Sequence, residues 1–372
     1  MNVSLDVKGN DVSMTAAAPT MVRQDTVKGS PPREGRNKDS LPVKPGLIET
    51  FTGKYSVDIL GLLLEDRTMR KNIVWADDEY AVLGDGYTGE DEITVDRITG
   101  DMSGLIQTRE EKESQRQALR TRARAEVFTP SWLCNRMNNY LDREWFGRDH
   151  VFNKETGRGW ETVTDPIEFP ETKGRGWHAY VESTRLEITC GEAPFLCSRY
   201  DTVSGDTIPV RDRIGILDRK LRVVGENCAT RRTWLKWAFA ALKSVYGYEY
   251  QGDNLLIARI NIFETFVEHM RERWNTTPTD DELAEIAQII TWNIWQMDGL
   301  TDAPPADTSK YVAESTLTRP KHPEAVQDAL FDDPYEEETD NAPLFETIPL
   351  CIIYDWENNT PTEYATIKGE QA

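Results

Sequence analysis

No stretch of this chain approaches the roughly 20 consecutive apolar residues that a membrane-spanning helix needs, and its start lacks the charged-then-apolar layout of a secretory leader. The sequence therefore reads as a cytoplasmic protein with no membrane partner. Cysteine and histidine are scarce: Cys134, Cys190, Cys197, Cys228 and Cys351, with His150, His178, His269 and His322, are scattered over 372 residues. An odd number of dispersed cysteines fits reduced thiols rather than a disulfide framework, and no Cys and His stand at zinc-ligand spacing. Basic charge is also short. Against 64 Asp and Glu there are 43 Lys and Arg, a formal net charge of −21, which disfavours a stand-alone nucleic-acid binder because phosphate neutralisation supplies most non-specific affinity. The imbalance is concentrated. Residues 301–372 hold sixteen acids against four bases, centred on Glu336-Glu337-Glu338, so an acidic, solvated loop is expected over 301–346.

What is present is enough for a substantial core: 38% of the residues are hydrophobic and eleven are tryptophan. Length alone suggests one to three domains. Residues 1–45 are rich in Pro, Gly, Ser, Thr and charge without apolar periodicity. They read as a disordered tail, or as a basic arm in which Arg33, Arg36, Lys38 and Lys44 reach phosphate. Residues 46–108 read as a small N-terminal subdomain, with a short helix around Ile59–Leu64 and a strand around Ile73–Ala76. The remainder, 109–372, reads as one α/β domain carrying inserts at 145–184 and 198–232.

Within that domain three apolar or aromatic strands in succession end in acids. The first runs over 186–189 into Glu187-Ile188-Thr189-Cys190-Gly191-Glu192-Ala193-Pro194-Phe195-Leu196. A glycine after a strand lets main-chain N–H groups approach a ligand, and an acid at the strand end can accept its hydrogen bonds; an ordinary strand-loop-helix junction has the same look. The second strand, 245–249, ends at Glu249 and precedes a helix with three- and four-residue apolar spacing. A third, 289–295, is followed by Asp298. Upstream lies Phe128-Thr129-Pro130, where Pro130 opens a helix at its first position.

In this order the elements resemble the adenine-specific DNA methyltransferases, and within them the modification subunits of restriction systems. The resemblance covers about 109–300. It implies a Rossmann-like sheet of parallel strands, truncated here after the fourth strand, and S-adenosylmethionine as cofactor. Phe128, Thr129 and Pro130 would contact that cofactor, Glu187, Cys190 and Gly191 would hold its methionine part, Glu249 its ribose and Asp298 its adenine amine. DNA would be the substrate, with a companion specificity or restriction subunit. The family's Asp/Asn-Pro-Pro-aromatic turn is missing. Asp355-Trp356, after the strand-like 349–354, stands in for it by position, with Asp355 as acceptor and Trp356 as stacking wall; Asp333-Pro334-Tyr335 matches it half by composition. Two readings follow: methyl transfer to a flipped adenine, or a non-catalytic methyltransferase-like partner, cofactor sensor or acidic DNA mimic.

Other features carry two readings each. Residues 109–124 read as a helix whose acids and arginines match its dipole, and equally as a cationic strip beside Phe128. The Gly-Arg-Gly-Trp repeats at 157–160 and 174–177 suit base stacking, or a surface hairpin with tryptophan turned inward. The arginine-rich 198–232 is the most basic stretch and the first place to look for nucleic-acid contact. Cys190 is either a nucleophile or a small buried loop residue.

Overall fold

The computed structural model describes residues 45–112, 129–305, 311–313 and 346–370. At its centre is a three-stranded parallel sheet of β3 (Arg185–Glu187), β4 (Val245–Glu249) and β5 (Ile294–Gln296), in that spatial order. The register pairs Glu187 with Gly247 and Glu249 with Gln296. Parallel neighbours need long crossovers. Helices α5 (Ile216–Asn227) and α6 (Arg231–Lys243) join β3 to β4, and α7 (Gly252–Trp274) and α8 (Asp280–Asn293) join β4 to β5. Upstream lie α1 (Leu47–Thr52), α2 (Val57–Leu64), α3 (Ser131–Phe146), the hairpin β1 (Asn153–Thr156) and β2 (Gly159–Thr162), and α4 (Trp177–Glu182). Downstream an antiparallel hairpin, β6 (Ile352–Asp355) and β7 (Thr360–Glu363), leads into α9 (Tyr364–Glu370).

Helix α7 is the axis of the packing. Every residue from Gly252 to Val267 is buried, the mark of a helix enclosed on all sides rather than laid on a surface. Its last turn carries Arg271 and Arg273, which suit the dipole, and Asn275 closes it in the left-handed region. One hydrophobic core runs from Ile48 and Phe51 through Trp234 and Phe263 to Ile294. Residues 46–108 therefore contribute side chains to the same core as the sheet. A smaller cluster of Tyr248, Trp295, Met297, Cys351, Ile353 and Tyr364 joins strands β4 and β5 to the β6–β7 hairpin and α9.

Three expectations are corrected here. The third strand is Ile294–Gln296, not 289–295: a reciprocal capping box between Thr279 and Glu282 starts α8, and Leu283, Ile286, Ala287 and Ile290 make its apolar stripe, so Ile289 and Ile290 belong to a helix. The segment 349–354 is no fourth parallel strand: among the described residues β6 pairs only with β7, antiparallel, across a turn that Asp355 closes by accepting from Glu357 N and Asn358 N. Pro130 is the residue before α3, which begins at Ser131. Phe128 and most of 109–124 and 301–346 lie outside the described residues. No described helix is long and apolar enough to cross a membrane.

Candidate functional site

Strand β3 ends at Glu187, and the chain then turns sharply through Thr189 (φ 45°), Gly191 (φ 55°) and Ala193 (φ 63°). Two of these three left-handed residues carry a side chain, which costs on the order of 1 kcal/mol each, so packing must hold the loop. It does so from both sides. Cys190 N donates to Tyr248 O at 2.8 Å, and Phe195 N and Leu196 N donate to the Glu187 carboxylate at 3.3 and 3.1 Å. Gly247 eases this approach, since a Cβ built there would lie a tight 3.3 Å from Cys190 Sγ.

Glu249, at the end of β4, accepts from Gly191 N at 2.9 Å and from Gln251 N at 3.2 Å. Glu187, Cys190, Gly191 and Glu249 are thus one cluster at the C-terminal ends of adjacent parallel strands, where ligands bind in open α/β sheets. Burial drives its electrostatics. Loss of water pushes Glu187 up to about 8, and the nearby Glu249 carboxylate adds to this, against the two backbone N–H donors that lower it. The Cys190 thiol is held well above its ordinary range by burial and by Glu187 and Glu249. A thiolate nucleophile is disfavoured there, and Cys190 is the small buried loop residue.

Thr129 and Pro130 lead into α3. Thr202 Oγ1 donates to Thr129 O at 3.1 Å, Ser131 N donates to Asp201 at 2.8 Å, and Glu187 helps burial to raise the Cys134 thiol at the start of α3. Asp298 shares the strand-end edge, but its carboxylate turns to Leu300 N at 2.8 Å and acts on Tyr248 and Tyr250 rather than on Glu187. Glu192 is buried, accepting from Arg109 N at 2.6 Å and Tyr200 Oη at 2.8 Å.

Asp355 and Trp356 are elsewhere. Strand β6 starts near the end of β5, where Cys351 Sγ meets Gln296 O at 3.4 Å, and runs back so that Tyr246 Oη donates to Tyr354 O at 2.9 Å. This carries Asp355-Trp356 to the edge where the parallel strands begin. Trp356 Nε1 donates to Asn293 Oδ1 at 2.7 Å and its ring lies under Lys243, while Asp355 serves its own turn. The placement of Asp355 and Trp356 next to the cofactor edge is therefore corrected: a hairpin reverses the chain where a parallel strand was expected.

No protein-family model, curated protein or solved structure matches this chain.

Part of the basic stretch 198–232 turns inward, while Arg211 and Arg232 stay exposed. Arg219 is buried and ion-paired with Asp142, Lys220 is buried and donates to Ser183 O and Ser244 Oγ at 2.5 Å, and Arg213 binds Glu268 at 2.5 Å. These cations build the core. In the first Gly-Arg-Gly-Trp repeat, on the β1–β2 hairpin, Trp160 Nε1 donates to Asp212 O at 2.8 Å; in the second, Trp177 packs on Trp237. Both tryptophans are half-buried.

Sequence reasoning missed a buried ion pair at the start of α7, the helix that follows β4. Asp253, in the first turn of α7, accepts from Tyr80 Oη at 2.9 Å and pairs with Lys112 at 3.4 Å, and all three are buried. The available signal was the acid four residues after Glu249. Above them Gln296 reads the backbone of Val74, accepting from its N at 2.9 Å and donating to its O at 2.8 Å, which straps Ile73–Trp75 over the ends of β4 and β5.

Proposed function

We propose that this chain binds S-adenosylmethionine at the ends of β3 and β4 and serves methylation of the adenine exocyclic amine in DNA, within a restriction-modification system. The observation that carries the reading is the Gly191–Glu249 contact: a left-handed glycine after one parallel strand hydrogen-bonded to the acid that ends the next. The donor set fits the cofactor chemically. Glu249 offers a carboxylate to a ribose diol and Glu187 one to an ammonium, while the Gly191 main-chain N–H holds the Glu249 carboxylate in place. Bound there, S-adenosylmethionine supplies an electrophilic methyl group. The chain's own part is to orient it and, through the 73–75 strap and the buried Asp253–Lys112 pair, to keep water out.

A second reading rests on the position of Asp355 and Trp356. With both at the opposite edge, this chain is the cofactor-binding partner, and the groups that hold the flipped base come from a companion subunit. One experiment separates the two. Labelled methyl transfer to mixed-sequence DNA is measured with the chain alone and with a companion specificity or restriction subunit. Transfer by the chain alone supports catalysis here, transfer only with the companion supports the partner role, and no transfer in either case removes the methylation reading.

A further inference from the structure

Beside the β6–β7 hairpin and the end of α8, away from the Gly191–Glu249 contact, lies a cleft of about 810 Å³ whose lining includes Arg67, Arg70, Lys71, Trp292 and Pro361. Its aromatic side continues as a row. Trp292 packs on Tyr354 at 5.2 Å, Tyr354 on Trp356 at 4.4 Å, and the row is closed by Arg67 over Trp292 at 5.5 Å and Lys243 over Trp356 at 4.7 Å. All three rings are partly exposed. The acids on this side are engaged: Glu65 pairs with Arg67 at 2.6 Å, and buried Asp66 accepts from Thr68 N and Met69 N. Arg70 and Lys71, by contrast, are exposed at the rim.

Arg70 is the informative residue. It sits at the tip of the tight turn that Asp66 closes, with φ of 54°, a left-handed conformation in which glycine or asparagine is relaxed and a long side chain is not. A strained backbone that places a cation at the mouth of an aromatic-walled cleft points to a ligand for that cation. Cations beside partly open rings are the chemistry that holds a nucleic-acid strand with unpaired bases: phosphate to the guanidinium and ammonium, base to the ring. We infer that this cleft is a binding site for single-stranded nucleic acid, with Arg70 and Lys71 on the phosphates and Trp292 against a base. It uses none of the residues assigned to the cofactor.

The test is fluorescence anisotropy of a labelled oligothymidylate with the full chain, from about 50 to 200 mM salt, where counterion release makes phosphate contacts legible. Arg70→Gly relieves the backbone, so its melting temperature should equal or exceed that of the wild type while its affinity falls about tenfold and its salt slope drops by about one. Trp292→Leu should weaken binding by roughly tenfold, the scale of one base stack. Glu249→Ala should bind the strand as the wild type does, which separates this site from the cofactor reading. Equal affinity of wild type and Arg70→Gly, or tighter binding of blunt duplex than of the single strand, would overturn the inference.

Discussion

Glu187 gives the site a measurable pH signature. The residue is 8% exposed, and burial, with Glu249 nearby, lifts its carboxyl from 4.5 to about 8. Each tenfold change in proton affinity is worth about 1.4 kcal/mol, so the ceiling on the linked stability is about 5 kcal/mol. An effective dielectric well above that of a dry interior keeps the expected effect below this ceiling. The sign follows from the direction. A carboxyl whose folded value lies above its unfolded value keeps its proton in the native state, so its contribution is whole below about pH 4.5 and is lost as pH rises through about 8. Urea unfolding at pH 5, 6.5 and 8 should therefore show the wild type losing stability across this window relative to Glu187→Gln, which cannot ionise. Glu187→Gln will carry a constant penalty of about 1–3 kcal/mol, because its amide turns a donor toward Phe195 N or Leu196 N, but the pH-dependent difference is unaffected by a constant. Parallel pH profiles for the two proteins would refute the argument.

The same proton should leave when a cation binds. Calorimetry of S-adenosylmethionine binding at pH 7, in buffers of different ionisation enthalpy, should report release of up to about one proton by the wild type and none by Glu187→Gln. Gly252→Ala should lower stability by about 2 kcal/mol or more, read as a fall in urea midpoint, because its Cβ would stand 2.0 Å from Val74 O. Asp142→Ala strands buried Arg219 and removes the acceptor of Tyr180 Oη; a loss of about 3–5 kcal/mol is expected, and a change under 1 kcal/mol in urea unfolding would contradict the buried pair.

Much of the sheet was legible because its strands obey local rules. Val245–Glu249 is aromatic and β-branched and ends at an acid, and Glu187 and Gly191 mark their strand-to-turn junction by residue type alone. The contact between Gly191 N and Glu249 was not legible, since the two stand 58 residues apart. What failed were features that depend on context. Ile289 and Ile290 carry β-branched side chains that read as strand, but the Thr279–Glu282 capping box ten residues upstream decides for helix. Asp355 was placed at the wrong edge because parallel and antiparallel strands have the same composition, and only the turn that Asp355 itself closes reveals the reversal. Arg213, Arg219 and Lys220 looked like a surface patch since charge is ordinarily solvated; Glu268 and Asp142, which pair with Arg213 and Arg219, and Ser183 and Ser244, which hold Lys220, are remote in sequence. Lys112 and Asp253 were missed for the same reason, 141 residues apart.

The central claim, that the ends of β3 and β4 form a cofactor site, is tested most directly by calorimetric titration of the full chain with S-adenosylmethionine and, separately, S-adenosylhomocysteine. The prediction is saturable binding that Glu249→Ala weakens by about 1–3 kcal/mol, the cost of removing one partner from a buried hydrogen bond. No binding of either compound to the wild type, or equal affinity for wild type and Glu249→Ala, would contradict it.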